Sequence, residues 1–198
     1  MSFVYRVLEV PSIYRAVQAM VAPGAGTGLR RLARDVVARF GLQGPALDVG
    51  CGPLSHLDQT GRDLVGLDIS LPYVTAFPRT GVVGSADRLP FAAGAFKTVW
   101  TLGLLHHLPD SLAAESVREM TRVCARGGTV MVVDAVMPRS PWLSPYVYAT
   151  RRMDRGRHMR TQTALERLLP VKADWSIERR TYSYAGHELI VCAWTKQA

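Results

Sequence analysis

The chain has 198 residues, of which 48% are hydrophobic and 20% charged, and its formal net charge at pH 7 is +8. This length accommodates one domain with a substantial core rather than two. No run of about 18 apolar residues predicts a membrane-spanning helix, and residues 1–10 lack the long apolar core of a signal peptide. The three cysteines, Cys51, Cys124 and Cys192, lack metal-ligand spacing. They indicate a reducing cytoplasm and no metal site.

The positive charge comes almost entirely from arginine, since Lys97, Lys172 and Lys196 are the only lysines. Such a balance is compatible with nucleic-acid binding. Outside one segment after residue 138, however, no basic patch with interleaved aromatic residues stands out. We interpret the charge as arginine spread over the surface, which argues against nucleic acid as a partner.

Two amphipathic helices are predicted ahead of the first strand. Residues 11–21 and 29–40 carry apolar side chains at helical spacing, and a proline and two glycines at 23–26 separate them. In the second helix, Leu32 and Val36 face inward and four arginines face outward. Residues 1–40 are therefore expected to form a helical cap.

The stretch 46–54, ALDVGCGPL, is the most informative part of the chain. It predicts a short buried strand, a glycine-rich turn and the start of a helix, because Gly50 and Gly52 permit backbone angles that a side chain would obstruct. Pro53 suits the first turn of a helix. A unit of this kind places a nucleoside-type ligand at the carboxyl end of a sheet.

Acidic residues end this strand and the two predicted strands that follow. Asp48 is the first, Asp68 lies 18 residues after Gly50, and Asp87 lies 19 residues after Asp68. The first spacing is close to that at which an acidic side chain reaches ribose hydroxyls in dinucleotide folds. Strand ends recurring at this interval indicate crossover units whose carboxyl ends share one sheet edge.

Two nucleoside ligands fit these features, a nicotinamide dinucleotide and S-adenosylmethionine. A dinucleotide needs free N–H groups at the helix start for its pyrophosphate and a third glycine for packing. Pro53 removes one N–H, and Ser55 stands where the third glycine belongs. S-adenosylmethionine carries no phosphate, so the sequence favours it.

The chain resembles the class I S-adenosylmethionine-dependent methyltransferases, of the small-molecule, methyltransferase type 11-like kind, over roughly residues 45–135. The stretches similar to that family's motifs are 47–53 (LDVGCGP), 65–70 (VGLDIS), 84–91 (GSADRLPF), 96–100 with 104–110 (LLHHLPD), and 126–130 (RGGTV). Leu54 departs from the pattern, since many relatives carry a third glycine there. The resemblance implies a Rossmann-like α/β fold, a doubly wound seven-stranded mostly parallel sheet with a C-terminal antiparallel hairpin.

The resemblance also implies how the cofactor is held. Its candidate binding residues are Asp48, Gly50, Gly52, Asp68, Ile69, Asp87, Arg88 and Leu104. By analogy, Asp48 holds the methionine ammonium, Asp68 accepts hydrogen bonds from the ribose hydroxyls, and Asp87 accepts from the adenine amino group. Either Ile69 or Leu89 flanks the adenine ring. The bland alternative for Asp68 and Asp87 is that each merely caps a helix.

His106 and His107 follow the fourth predicted strand and face the expected methyl donor. Because an unperturbed imidazole titrates near neutral pH, either could accept the acceptor's proton, and His106 is the preferred candidate. The alternative is a packing or capping role, because many such enzymes act mainly by positioning the nucleophile in line.

Residues 138–170 are expected to form a lid over the acceptor, ahead of a terminal hairpin at 175–196. Five arginines lie within 151–160, and Arg155 and Arg157 are candidates to clamp a carboxylate or phosphate. Tyr146 is a candidate to stack on a planar acceptor or to sit at a membrane surface. The alternative is a solvated basic helix.

We therefore predict a single-domain methyltransferase that acts on a small molecule, possibly acidic or aromatic in nature, and releases S-adenosylhomocysteine. Two alternatives stay open, an RNA or protein methyltransferase and a catalytically silent S-adenosylmethionine-binding regulatory protein. Thr101-Leu102-Gly103-Leu104 stands where amino-group methyltransferases of nucleobases or glutamine carry an Asn/Asp-Pro-Pro-Tyr/Phe tetrad. The sequence leaves the methylated atom and the oligomeric state open.

Overall fold

A seven-stranded sheet forms the centre of the computed structural model, which describes residues 20–40, 44–55, 63–154, 156–170 and 173–197. The strands are β1 (Ala46–Val49), β2 (Leu64–Asp68), β3 (Thr80–Val83), β4 (Phe96–Leu102), β5 (Cys124–Ala135), β6 (Ser176–Thr181) and β7 (Glu188–Thr195). Their order is β3-β2-β1-β4-β5-β7-β6. Strands β1 to β5 pair in parallel, and β7 is antiparallel to both β5 and β6. The predicted fold class is confirmed.

Five α-helices and a 3₁₀ turn connect these strands in the described part of the chain. They are α1 (Ala25–Phe40), α2 (Leu71–Ala76), the 3₁₀ turn (Leu105–His107), α3 (Asp110–Val123), α4 (Pro145–Arg152) and α5 (Gln162–Glu166). Nearly all of the helix predicted at 11–21 lies outside the described residues. None of the helices in the described ranges is long and apolar enough to cross a membrane.

Helices on both faces bury the sheet. On β5, Val130 and Val132 belong to one core cluster, which α3 completes, while Met131 and Val133 belong to another, which α1 completes. This alternation follows from the two-residue period of a strand, and burial on both faces explains the continuous apolar run of β5. The predicted inward residues of α1, Leu32 and Val36, are buried.

Two element boundaries differ from the sequence prediction because of glycines. Helix α1 begins at Ala25 rather than 29 and includes Gly28, where a Cβ would lie 1.9 Å from the Tyr182 carbonyl oxygen. Gly127 and Gly128 are typical of a helix end and predict that the fifth strand begins near residue 128, but β5 already begins at Cys124. Gly127 has φ of +69°, and the pairing with β4 shifts register there, so these glycines accommodate an irregular strand.

Candidate active site

The carboxyl ends of β1, β2 and β3 and the loop after β4 enclose an open cleft of about 340 Å³. Its lining consists of Gly50, Leu67, Asp68, Ile69, Gly84, Ser85, Ala86, Leu104 and Leu108. Four of the predicted cofactor residues, Gly50, Asp68, Ile69 and Leu104, are therefore brought together here. The cleft lies where a parallel α/β sheet binds its ligands, at the edge where strand order reverses between β1 and β4.

The glycine turn after β1 depends on both backbone conformation and space. Gly50 and Gly52 have φ of +71° and +58°, in the left-handed region that favours glycine. The Gly50 N–H donates to the Leu67 carbonyl at 2.7 Å, which ties the turn to β2. A Cβ at Gly50 would lie 2.9 Å from a Leu104 methyl group. Gly50 thus lets Leu104 close over the turn.

Asp68 ends β2 and organises the surrounding backbone with its carboxylate. One oxygen accepts from the Gly52 N–H at 3.0 Å and the other from the Ser70 N–H at 2.8 Å. The residue that precedes α2 is Ser70 rather than Asp68, so the alternative of a plain helix cap does not describe Asp68. Each carboxylate oxygen can accept more than one hydrogen bond. The half-buried carboxylate therefore retains acceptor capacity for two ligand hydroxyls.

Asp48 is buried beneath the turn, with 3% of its surface exposed. The Ser55 hydroxyl donates to it at 2.5 Å. Burial raises the pKa of Asp48 to about 7, against the lowering effect of the Ser55 hydrogen bond, and the charge of Asp68 raises it further. A cationic ligand group nearby would reverse this effect and favour the carboxylate.

The turn after β3 carries the predicted adenine contacts. Asp87 accepts a hydrogen bond from the Ser85 hydroxyl, while the Arg88 N–H donates to the Ser85 carbonyl at 3.2 Å. The Arg88 N–H is therefore already engaged within the turn. Of the two candidates to flank adenine, Ile69 is 77% exposed at the cleft, whereas Leu89 is only 4% exposed and belongs to the core.

A Glu–Arg pair on α3 holds the chain that follows this turn. Glu119 accepts from the Leu89 N–H at 2.8 Å, and Arg122 donates to the carbonyls of Leu89 and Phe91 at 3.0 and 2.9 Å. The two side chains also form a bidentate pair, with N···O distances of 2.6 and 2.8 Å. This contact fixes the backbone two residues beyond Asp87.

His106 is fixed by Asp134, which sequence reasoning missed. Its Nδ1 lies 2.5 Å from one Asp134 oxygen, and its backbone N–H donates to the other at 3.0 Å. Its Nε2 lies 3.9 Å from an Asp154 oxygen, and 11% of the side chain is exposed. Asp134 is buried near the end of β5. The signal that could have found it is another acidic residue that follows a buried apolar strand.

The His106–Asp134 pair favours its charged form. Burial lowers the pKa of the His106 imidazole, but the charge and hydrogen bond of Asp134 outweigh it and raise that pKa above its ordinary value. Burial likewise opposes ionisation of Asp134, yet His106 holds the pKa of this carboxyl below its ordinary value. His107 is exposed, and its ring centroid lies 4.2 Å from that of His106. Neither histidine lines the cleft itself.

Two arginines of segment 138–170 bind other parts of the fold. Arg160 is buried and donates to the carbonyls of Leu105 and Leu108, both at 2.7 Å, and to Asp110. Asp110 is of a residue type that favours the N-cap of a helix, but it is the first residue of α3 and the partner of Arg160. Arg151 is also buried and donates to the Tyr182 hydroxyl at 2.9 Å.

Of the three predicted acceptor residues, two lie in the described part of the chain. Arg155 lies outside the described residues. Arg157 is exposed. Tyr146 is half exposed, and its hydroxyl donates to the Val21 carbonyl at 2.8 Å, which joins α4 to the segment before α1. Among the residues that the structure describes, no three His, Cys, Asp or Glu side chains are grouped to hold a metal.

Comparison with known proteins finds methyltransferases that are similar to about half of the chain. Residues 47–132 match the model of a methyltransferase domain family. A demethylmenaquinone methyltransferase of Roseiflexus castenholzii is 35% identical over 112 residues, which cover 50% of this chain and 46% of the relative. The methyltransferase GfsG of Streptomyces halstedii is 32% identical over 106 residues, 46% of this chain and 37% of the relative. The chain thus spans less than half the length of these relatives.

Solved structures share the fold at low sequence identity. A SAM-dependent methyltransferase of Thermotoga maritima superposes with a TM-score of 0.72 at 13% identity, covering 98% of this chain and 100% of the other. A geranyl diphosphate C-methyltransferase of Streptomyces coelicolor A3(2) gives a TM-score of 0.65 at 13% identity, covering 84% and 78%. The family match, the strand order and the glycine turn agree. Residues 47–132 are therefore similar to a methyltransferase domain, and the chain has the fold of the S-adenosylmethionine-dependent methyltransferase with which it superposes.

Proposed function

We propose that the chain transfers the methyl group of S-adenosylmethionine to a small-molecule acceptor and releases S-adenosylhomocysteine. The observation that carries this proposal is the cleft beside Asp68, where free carboxylate acceptor capacity and an exposed Ile69 face the same space. The names of the relatives support a small acceptor, since one acts on demethylmenaquinone. The acceptor of this chain is inferred and not identified by them.

The residues that line the cleft and those in the turns beside it suit S-adenosylmethionine. Asp68 would bind the ribose hydroxyls, Asp48 the methionine ammonium through water, and Asp87 the adenine amino group. Ile69 would cover the adenine ring. Gly50 and Gly52 would allow close backbone approach, while Leu104 lines the methionine side. S-adenosylmethionine, when bound, supplies an electrophilic methyl group; the protein's part is to align an acceptor with it.

His106 is the residue that we propose accepts the acceptor's proton. Asp134 binds its Nδ1, so the proton would be taken at Nε2, as in other carboxylate–histidine pairs. Because Nε2 lies 3.9 Å from Asp154, access requires the segment carrying Asp154 to yield to the acceptor. His107, exposed beside it, is the weaker candidate.

The acceptor itself is proposed to bind under residues 138–170. Tyr146, Arg155 and Arg157 remain the proposed contacts, and an acidic or aromatic acceptor would suit them. Arg151 and Arg160 are excluded from this role by their internal partners. Of the alternatives, RNA or protein as acceptor finds less support, because this exclusion leaves fewer basic side chains for a polyanion.

Calorimetric titration with S-adenosylhomocysteine tests the proposal first, followed by assays for label transfer from methyl-labelled S-adenosylmethionine to extracts of small molecules, RNA and protein. We expect micromolar binding of S-adenosylhomocysteine and label in the small-molecule fraction. Tight binding of a nicotinamide dinucleotide instead would refute the cofactor assignment. Cofactor binding without label in any fraction would favour a silent regulatory protein, and label in RNA or protein would replace the proposed acceptor class.

A further inference from the structure

Helix α4 and the turn before it expose a set of large apolar side chains, which we call the α4 surface. Its members are Trp142, Leu143, Tyr146 and Met153, with exposed fractions of 90%, 86%, 50% and 77%. Trp142 and Leu143 are among the most exposed large apolar residues in the described chain. Isolated exposed apolar residues are ordinary, whereas several on one short element mark an interaction surface.

The opposite face of α4 is already packed against the fold. Val147, Thr150 and Arg151 are buried. The Thr150 hydroxyl lies 2.9 Å from a ring nitrogen of His187, and Arg151 donates to the Glu188 carbonyl at 2.9 Å. These contacts orient α4 on the turn between β6 and β7. One face of α4 is therefore packed on the fold, whereas Tyr146 and Met153 are exposed, with the Tyr146 hydroxyl bound to the Val21 carbonyl.

The α4 surface lies at the same edge of the sheet as the cofactor cleft. Ala135, at the carboxyl end of β5, pairs with Leu189 near the start of β7. The turn that ends at β7 and the helix packed on it are thus at the carboxyl edge of the parallel strands. Tyr184 in this turn is 87% exposed, and its N–H donates to the Pro23 carbonyl at 2.9 Å. The exposed apolar side chains therefore lie on the side of the molecule where an acceptor would enter.

The charged side chains exposed in the described part of segment 136–161, which carries the α4 surface, are all arginines. Of the six arginines in this segment, Arg139, Arg152 and Arg157 are exposed and Arg151 and Arg160 are buried, and its single acidic residue is Asp154. Asp154 is partly buried and faces Arg151 and His106, at 3.7 and 3.9 Å. Arg139 and Arg152 are exposed beside the apolar side chains. We therefore expect a binding partner with an anionic surface and an apolar layer below it.

We propose that the α4 surface binds the surface of an anionic lipid bilayer. Trp and Tyr side chains favour the membrane interface, where an apolar ring and a polar edge are both accommodated. Arginines add electrostatic attraction to anionic headgroups, which a neutral bilayer does not supply. A protein partner is less favoured, because the apolar residues project from a turn and a helix end and the exposed charged residues described in segment 136–161 are all arginines. Bilayer binding would bring the cleft's edge to the lipid surface.

Vesicle sedimentation tests this proposal without any methyl transfer. The full chain is mixed with phosphatidylcholine vesicles or with vesicles containing phosphatidylglycerol as well. We expect binding to the anionic vesicles only, weakened by high salt. Trp142→Ala with Leu143→Ala should reduce the partition coefficient at least about tenfold, because two large apolar side chains no longer enter the bilayer. Ile177→Ala, at an exposed apolar residue on β6, is the matched control and should bind like the wild type.

Substitutions of arginine separate electrostatic attraction to the headgroups from insertion of the apolar side chains into the bilayer. Arg139→Gln with Arg152→Gln should weaken binding to anionic vesicles several-fold, whereas Arg31→Gln with Arg34→Gln on the exposed side of α1 should not. Equal binding of all variants, or no vesicle binding by the wild type, would overturn the proposal. So would a melting temperature several degrees lower in the Trp142 and Leu143 variant, since the chain itself would then cover these side chains. Loss of self-association by that variant without vesicle binding would assign the surface to a second copy instead.

Discussion

The two halves of the carboxyl edge use their charged residues in opposite ways. At the cofactor cleft, Asp68 binds two backbone N–H groups and still has acceptor capacity that faces open space. In segment 138–170, Arg151 and Arg160 donate hydrogen bonds to carbonyls and side chains of the fold itself. A charged side chain in a functional segment therefore indicates ligand binding only when its partners leave capacity for a ligand.

The largest effect is expected at Asp68. Asp68→Ala should weaken S-adenosylhomocysteine binding by at least about 100-fold, since two hydrogen bonds to a charged acceptor are lost. Calorimetry measures this directly, and Asp68→Asn should fall between, because one oxygen acceptor remains. Asp35→Ala, on the exposed side of α1, is the control. Unchanged affinity in the alanine variant would mean that Asp68 only shapes the loop.

On the acceptor side, we expect a comparable substitution to affect folding rather than binding. Arg160→Met should lower the free energy of unfolding by about 2–4 kcal/mol, because two carbonyls and Asp110 lose a buried partner. Urea denaturation measures this change in the free energy of unfolding. Arg152→Met, an exposed arginine of the same segment, should change stability by less than about 0.5 kcal/mol. If the two variants were equally stable and Arg160→Met bound cofactor normally but lost turnover, Arg160 would belong to the acceptor site.

The His106–Asp134 pair makes both stability and turnover depend on pH. The folded-state pKa of His106 is raised, so its contribution to stability is complete below its unfolded pKa of about 6.5 and is lost as pH rises through the folded value. The pKa of Asp134 is lowered, so its contribution is present above about 3.9 and is lost as pH falls through the folded value. The difference in free energy of unfolding between the wild type and His106→Gln, measured by urea denaturation, should therefore shrink as the pH rises above about 6.5.

The dependence of the turnover rate on pH tests whether His106 accepts the proton. If His106 is the proton acceptor, the rate rises with pH through its raised pKa, and His106→Gln removes that limb and lowers the rate about 100-fold. Asp134→Asn should move the limb to lower pH, because the carboxylate that raises the pKa is gone; Asp154 and Arg151 also face this imidazole and will set the remaining shift. A limb that persists in His106→Gln would make His106 a positioning residue only.

A smaller effect on cofactor binding is expected from Glu119 of α3, which contacts the backbone two residues beyond Asp87. Glu119→Gln should weaken S-adenosylhomocysteine binding about threefold to tenfold, since the chain beyond Asp87 loses a charge-assisted contact to its backbone. Glu115→Gln is a matched control: Glu115 pairs with Arg118 on the same helix at 2.8 Å, and both are substantially exposed. Equal affinities in the two variants would show that the Glu119 contact leaves the adenine turn unaffected.

The sequence was sufficient for the cofactor half because its signals are local. Gly50, Gly52 and Asp68 lie within one strand–turn–helix unit and the next strand, and backbone conformation dictates their type. The crossover pattern predicted that the first strands share one carboxyl edge, and the family resemblance implied the seven-stranded sheet with its terminal hairpin. The roles of the individual cofactor residues stay predictions, as does the division of the chain into cap, core, lid and hairpin.

The acceptor half resisted prediction because its contacts join distant parts of the chain. Arg160 and Leu105 are 55 residues apart, and His106 and Asp134 are 28 apart. Nothing near Arg160 in the sequence distinguishes it from Arg152, yet one is buried and the other exposed. Strand β5 was placed too short because Gly127 reads as a helix stop, while its positive φ serves an irregular ladder.

The burial of Asp48 has a consequence for how the cofactor affinity is regulated. With a pKa of about 7 in the absence of a ligand, this carboxyl is partly protonated at neutral pH. A ligand ammonium held there would require the ionised form, so binding would release a proton to solvent. Apparent affinity would then climb by up to about tenfold from pH 6 to pH 8, and the measured binding enthalpy would change with the buffer's own ionisation heat. Cofactor uptake in this protein would thus be coupled to the acidity of its surroundings.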